Sequence, residues 1–345
     1  MSVGNGPTLP KFPRSIIHPL GPFFRHLPLA LRRHLLYLRY QGRWGNFRNP
    51  ILASEKMQWR IINDRRSLIK WTADKLAQKQ YVRDVSADAN LGVSVPATYW
   101  SGVDAEDLLK SAQGFPGSWV MKPNHSSSRY RLYQDGLINA YREEIRRLVP
   151  LWSKRDEEEL VYGNWAYGHA RHVVIAEERI GSGEVPPIDV KLYCYGGRAQ
   201  VIFNTYDLHT PNWRAAYYTP DLTRTQVGFF SEIPRDTPTE FDALPAALRA
   251  RVVPIAEAIA APFDAVRVDL YISDGAIWFG ELTTYSSSGL IKVDPKVDRE
   301  RGSLWTLPEL RSREDADARW ERLLHSPTTD PYEPRAATKR DTPQG

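Results

Sequence analysis

A single cysteine, Cys194, stands in 345 residues. That scarcity excludes an intramolecular disulfide framework and fits a reducing compartment. Cys194 lies in an alternating stretch with Ile188, Val190 and Leu192, so an inert buried thiol is expected rather than a nucleophile. No run is long and apolar enough to span a bilayer. Prolines and charges interrupt every apolar stretch near the N-terminus, so no signal-peptide pattern is read there. Acids are missing before Glu55. Lys11, Arg14, Arg25, Arg32, Arg33, Arg39, Arg43 and Arg48 give residues 1–54 a charge of +8, against +5 for the whole chain, which leaves −3 for the remainder. The basic character therefore belongs to an N-terminal arm. No basic stripe runs through the body, which argues against a nucleic-acid partner.

What is present starts with that arm. Residues 1–28 are rich in Pro and Gly and read as irregular. Residues 29–40 read as a short helix with Leu31, Leu35 and Leu38 on one face and Arg32 and Arg39 on another. The expectation is that the leucines pack on the body. The alternative is a basic amphipathic helix making peripheral contact with an anionic membrane through residues 1–48.

Helix is expected over 55–83, with Thr72 as cap to Lys75–Lys79, then over 105–112, 142–148 and, continuously, 242–261, with a further turn at 156–160. Strands are expected at 118–123 and 172–180, and a hairpin at 189–206 around Gly196-Gly197. A second hairpin joins Ala265–Ile272 to Ala276–Thr283 through Ser273-Asp274-Gly275. A three-residue connection places Arg267 opposite Glu281 and Asp269 opposite Phe279. Arg267, Asp269, Tyr271, Phe279 and Glu281 then share one face. Val266, Val268, Leu270, Trp278 and Leu282 share the apolar one. Two acids and an arginine on one face suit Mg²⁺ holding phosphate oxygens. Taken alone, the hairpin is better read as a solvated face with Arg–Glu pairing.

Other pieces are individually weak. Lys122-Pro-Asn-His-Ser126-Ser127-Ser128 is a strand end running into a loop of small residues, whose N–H groups could wrap phosphate beside a lysine; a surface turn explains it as well. Val173–Ile180 is an apolar strand ending in Glu177-Glu178. Asp189-Val-Lys191 presents a lysine on the polar side of its hairpin. His125, His169 and His172 lack zinc-ligand spacing, and no nucleophile elbow occurs. Tyr206, Trp213, Tyr217 and Tyr218 could stack on a sugar or peptide, but core packing is the expectation.

The order of these motifs resembles the ATP-grasp superfamily, in particular its TupA-like branch. The residues that carry the likeness are Asp74-Lys75-Leu, Lys122-Pro-Asn-His125, Ala176-Glu-Glu178, Asp189-Val-Lys-Leu-Tyr-Cys-Tyr195, Val266-Arg-Val-Asp-Leu-Tyr271, Phe279-Gly-Glu-Leu-Thr283 and Ser288-Gly-Leu290. The resemblance covers roughly residues 50–310. It implies an α+β fold in which two subdomains grip ATP. The expected division is a basic arm (1–54), a helical region (55–112), a lid subdomain (113–181), a Mg²⁺-bearing subdomain (182–312), and a C-terminal helix with a disordered tail (313–345).

The resemblance also implies the site. Lys75 and Lys122, with the loop Ser126, Ser127 and Ser128, would hold ATP phosphates. Glu177 and Glu178 with Ile180 would lie by the adenine, and Glu184 by the ribose. Lys191 would be the phosphate-side cation, and Arg267 would stabilise charge on the transferring phosphoryl or on the tetrahedral intermediate. Asp269, Glu281 and Thr283 would hold Mg²⁺, for which Mn²⁺ can substitute. The branch usually has Gly-Ser-Gly after the loop lysine and Asn where Thr283 stands, and the N-terminal region leaves no room for the Rossmann-like domain of many relatives.

The implied activity is that of a carboxylate–amine ligase forming an amide through an acyl phosphate, with a carboxylate and an amine as substrates, in cell-surface polysaccharide or secondary-metabolite synthesis. The cytoplasm, at the inner face of the membrane if the arm docks, is the expected location. A sugar or polyol kinase on the same scaffold, and a non-catalytic nucleotide-binding adaptor, stay open.

Overall fold

A computed structural model describes the chain except residues 1–23, 127, 128, 135, 137, 156–160, 182–185, 207–213, 226–238, 311–316 and 332–345. Expectations for Ser127, Ser128, Glu184, Trp213, the turn at 156–160 and most of the C-terminal tail fall outside the described residues.

Two antiparallel sheets organise the fold. The first has four strands in the order β1-β4-β2-β3: β1 (Thr98–Gly102), β2 (Trp119–Pro123), β3 (Arg131–Tyr133) and β4 (Val174–Glu178). Its edge strand β1 thus comes from upstream of residue 113. Helices Ala105–Ser111 and Arg142–Trp152 close its apolar face, where Leu108, Trp119, Met121, Ile145, Val149 and Ala176 form one core. The alternation in β2 leaves Val120 and Lys122 on the opposite face.

The second sheet has six strands in the order β10-β9-β5-β6-β7-β8: β5 (Ile188–Tyr195), β6 (Arg198–Tyr206), β7 (Arg214–Tyr218), β8 (Arg224–Thr225), β9 (Ala265–Ser273) and β10 (Ala276–Thr283). Val190, Leu192, Val268, Leu270, Ile277, Phe279 and Leu282 pack into the larger core. Cys194 is buried there, and burial pushes its thiol up to about 12. Tyr217 and Tyr218 are also buried, Tyr217 stacked on Phe203 at 4.7 Å and Tyr218 donating to Asp242 at 2.8 Å.

Around the second sheet stand α1 (Leu29–Gln41), α2 (Ala53–Asn63), α3 (Lys75–Ala89) and α4 (Val252–Ala260): α3 and α4 pack on it, α2 reaches the start of β9 through Arg60, and α1 packs on α2. Helix α3 is capped by Asp74, not Thr72: the Asp74 carboxylate accepts from the Ala77 N–H at 2.9 Å and pairs with Arg171 at 2.7 Å. Thr72 bonds the Ile69 carbonyl and Thr284. A carboxylate can serve the N–H and the guanidinium together, which a hydroxyl cannot. The continuous helix expected over 242–261 is broken. It resolves into Ala246–Arg249 and α4, because Pro254 lacks an N–H and would clash with the carbonyl of Ala250. Restarting after Arg251 puts the proline in the first turn, where its missing donor costs nothing.

Helix α1 reverses expectation. Leu31, Leu35 and Leu38 face outward, while Arg32, Arg33, Leu36 and Tyr37 are buried. Leu36 packs with Phe24 and Leu290. The Arg33 guanidinium, fully buried, donates to Gln58 Oε1 and to the carbonyls of Tyr162 and Ser288. Burying a charge is tolerated when every donor finds an acceptor, and that network sets the helix rotation.

Candidate functional site

The hairpin β9–β10 turns on two residues, Asp274 and Gly275, with φ of 51° and 73°. Both lie in the left-handed region that a tight hairpin turn demands. The register is therefore Ala276 to Ser273 and Trp278 to Tyr271, not the one expected from a three-residue connection. Trp278 lies on the polar face and Phe279 in the core, the reverse of their expected places. Left uninterrupted, this register would send Glu281 into the core. A bulge at Gly280 inserts one residue, and Glu281 comes to lie directly opposite Asp269, with Thr283 opposite Arg267. A Cβ on Gly280 would meet the Tyr271 ring at 2.7 Å and the Asp269 carbonyl oxygen at 3.0 Å, so only glycine fits without displacement.

Strand β5 pairs with the other side of β9, placing Lys191 beside Asp269, Tyr193 beside Arg267 and Asp189 beside Tyr271. One face of three adjacent strands thus collects Asp189, Lys191, Arg267, Asp269, Glu281 and Thr283. Arg267 grips Asp269 with two parallel hydrogen bonds of 2.6 and 2.7 Å and donates to Thr283 Oγ1 at 3.1 Å. Burial works against the Arg267 charge, but Asp269 outweighs it and holds the guanidinium pKa well above its usual range. Lys191 pairs with Asp189, which also accepts from Thr205 Oγ1 at 3.2 Å. Asp189, burial and Asp269 together push the Tyr271 phenol well up, so it stays protonated.

The first sheet supplies the opposite wall. Lys122 on β2 pairs with Glu177 on β4, and Lys79 reaches the same carboxylate at 2.6 Å. Burial alone would raise the Glu177 pKa; the two ammonium groups overcome it and bring it down to about 2. Lys79 also donates to Thr98 Oγ1 at 2.8 Å. Lys75 donates to the Ser126 carbonyl at 2.6 Å and lies 3.7 Å from Glu281, so it bridges the two sheets. Burial lowers the pKa of both Lys75 and Lys79.

The structure thus brings together Lys75, Lys122, Ser126, Glu177, Lys191, Arg267, Asp269, Glu281 and Thr283. Glu177 does not present a free carboxylate at a strand end; it is enclosed by lysines. Glu178 is spent on the backbone, accepting from the Ala97 N–H at 3.1 Å. Ile180 lies in a bend just past β4.

Three positioning residues escaped the sequence reading. Lys79 sits one turn beyond Lys75, a spacing that could have revealed it. Asn124 sews the start of α3 to the loop: its side chain accepts from the Leu76 N–H at 3.0 Å, and its carbonyl accepts from the Lys75 N–H at 3.2 Å. Gln78 accepts from the Leu282 N–H at 2.8 Å and donates to the Leu282 carbonyl at 3.0 Å, clamping β10 between Glu281 and Thr283. Nothing in the sequence marks an amide for that work.

Beyond Arg267 the polar face opens into a recess of about 680 Å³, solvent at its mouth included, lined by Tyr193, Arg267, Thr283, Ser286, Ser287 and Arg301 among others. Its floor is a tight turn in which Ser287 and Ser288 hold φ of 48° and 51°. Such backbone is strained for a residue with a Cβ and persists only where surrounding contacts hold it. Here Asn164 donates to Ser288 Oγ at 2.8 Å, and Arg33 and Gln58 hold the Ser288 carbonyl.

Two facing carboxylates fit Mg²⁺, which takes one or two protein carboxylates and completes its shell with phosphate oxygens and water. Among the described residues no group of three His, Cys, Asp or Glu is placed to hold a metal ion. A site of this kind therefore needs the substrate's oxygens.

A family model of TupA-like ATP-grasp proteins matches residues 55–306. The chain belongs to that family. Its α+β architecture of two sheets is accordingly an ATP-grasp fold. No curated protein matches the chain. Among solved structures it is similar to a D-alanine–D-alanine ligase from Bacillus anthracis, at 16% identity over 62% of this chain and 56% of that one, with a TM-score of 0.33. It is also similar to the D-cycloserine synthetase DcsG, at 17% identity over 69% and 71% of the two chains, TM-score 0.36. The ATP-grasp ligase PsnB, complexed with a phosphomimetic variant of its minimal precursor, Mg and ADP, aligns at 15% identity over 83% and 73%, TM-score 0.37. The ATP-grasp chain described here thus spans little more than half the length of the first of these, and the fold assignment rests on the family match.

Proposed function

We propose that this chain is an ATP-dependent carboxylate–amine ligase. A substrate carboxylate oxygen attacks the γ-phosphorus of ATP and ADP leaves. An amine then attacks the acyl carbon of the resulting acyl phosphate, and phosphate leaves as the amide forms and the amine loses a proton. The observation that carries this reading is the meeting, at Lys75 and Glu281, of a lysine-rich wall and a wall of paired carboxylates with an arginine.

In this reading Lys75 and Lys122 hold phosphate oxygens, with Lys79 sharing their load through Glu177. Asp269 and Glu281, with Thr283 beside them, would hold Mg²⁺, which supplies charge neutralisation and alignment of phosphate oxygens. Arg267, pinned by Asp269 and Thr283, presents a fixed guanidinium to charge that develops on the acyl centre, and Lys191 does so from the neighbouring strand. Donors that need no reorganisation are what electrostatic catalysis requires. The recess beyond Arg267 would seat the carboxylate and amine substrates, of the kind joined in cell-surface polymer or secondary-metabolite synthesis. Nucleotide-product analysis over a panel of carboxylates and amines tests the proposal. Amide, ADP and phosphate are expected. AMP with pyrophosphate would overturn it, and a stable phosphorylated hydroxyl would assign a kinase instead.

A further inference from the structure

Helix α1 carries Arg32 and Arg33 inside and Leu31, Leu35 and Leu38 outside. Leu31, Leu35 and Leu38 recur at i, i+4 and i+7, forming one stripe, and each is more than a third exposed. Trp44, 57% exposed, stacks on His34 of the same helix at 4.6 Å and extends the apolar strip. Ordinary surface helices place such residues against the body. Here that place is taken by Arg33, Leu36 and Tyr37, and the leucine stripe belongs to none of the core clusters among the described residues. The exposed charge of this stretch is basic: Arg25, Arg39 and Arg48 are exposed, no acid precedes Glu55 in the sequence, and Glu55 and Asp298, the acids that reach Arg43, are themselves buried.

We propose that α1 with Trp44 docks the protein on an anionic lipid surface. A stripe of leucines ending in an indole and bordered by arginines is the arrangement of a helix lying in the headgroup layer. The exposed arginines meet anionic headgroups, each contributing attraction that falls away within a Debye length. Arg33 ties α1 to the carbonyl of Ser288 in the strained turn beneath the recess, so a docked α1 would hold the recess at a fixed orientation to the surface. No helix among the described residues is long and apolar enough to cross a membrane, so contact through α1 would be peripheral. The proposal is independent of the ligase reading.

Co-sedimentation of the full chain with vesicles tests it. One set is phosphatidylcholine alone; the other is phosphatidylcholine and phosphatidylglycerol in equal parts. The wild type is expected to pellet with the anionic vesicles and not the zwitterionic ones, and to be released by raised salt. The triple variant Leu31→Ser/Leu35→Ser/Leu38→Ser is expected to lose roughly tenfold or more of that binding while keeping the wild-type circular dichroism. If that variant misfolds, Trp44→Ser and the salt titration of the wild type carry the test, with weakened binding expected in each. Absence of binding to anionic vesicles, or equal binding by a folded triple variant, would overturn the proposal. So would a lipid-free dimer that the leucine substitutions abolish, which would assign the stripe to a second copy of the chain.

Discussion

The two walls of the site carry opposite surpluses of charge. On the first sheet and α3, Lys79 and Lys122 share one enclosed partner, Glu177, with Lys75 beside them. On the second sheet, Asp189, Asp269 and Glu281 share the cations Lys191 and Arg267, with Lys75 reaching Glu281 from across the site. The lysine wall can attract a polyphosphate without help. The acidic wall would repel one unless a divalent cation stood between them. Dependence on metal should therefore belong to one wall and baseline attraction for nucleotide to the other. The walls differ in burial too. Glu177 is shut in with its lysines, whereas Glu281 stands partly open with Lys75 at 3.7 Å. Loss of Glu177 should register as stability, and loss of Glu281 as activity.

The largest expected effect falls on the first wall. Glu177→Gln leaves two buried ammonium groups without their carboxylate and should cost about 3–5 kcal/mol of stability, read by urea denaturation. The same pair predicts an acid transition. The folded-state pKa of Glu177 lies below its ordinary 4.5, at about 2. Its stabilisation is thus fully present above pH 4.5 and lost as pH falls toward 2. Acid melts of the wild type should show that loss, and Glu177→Gln should flatten it. On the second wall, Asp269→Ala or Glu281→Ala should lower ADP release by about 10²–10³-fold. Glu281→Ala should change the melting temperature far less than Glu177→Gln, whereas Asp269→Ala also leaves Arg267 without its carboxylate and should cost stability as well. A smaller effect is expected from Gly280→Ala, where relief of the contacts with Tyr271 and Asp269 should cost about 1–3 kcal/mol and weaken activity by misaligning Glu281. Smallest is Thr283→Val, which removes one acceptor from Arg267. A loss of about 1 kcal/mol, and a fall in turnover within tenfold, should appear in steady-state kinetics.

Much of this contrast was legible in the sequence, and what was not has specific causes. Period-two alternation and the Asp274-Gly275 pair marked the last hairpin, and Arg267, Asp269 and Glu281 do share its polar face. Their register was not legible, because a two-residue turn and a bulge at Gly280 together mimic the outcome of a three-residue turn. Side-chain direction has period two, so two slips cancel for Glu281 but not for Trp278 and Phe279. Lys75 and Lys122 could be picked out by motif order. Lys79 was marked only by its place one turn beyond Lys75, since its partner Glu177 lies about a hundred residues away and the pairing itself appears only on folding. The split at Pro254 was visible in principle, as proline's missing donor is a local property. The rotation of α1 was not, because it depends on acceptors offered to Arg33 by Gln58, Tyr162 and Ser288, three distant points of the chain.

The most direct measurement is calorimetric ATP binding, with and without Mg²⁺, by the wild type and by the double variant Asp269→Asn/Glu281→Gln. Mg²⁺ should strengthen ATP binding to the wild type. In the double variant that gain should vanish while weak, Mg²⁺-independent binding on the lysine wall persists. An equal Mg²⁺-dependent gain in both proteins would contradict the account.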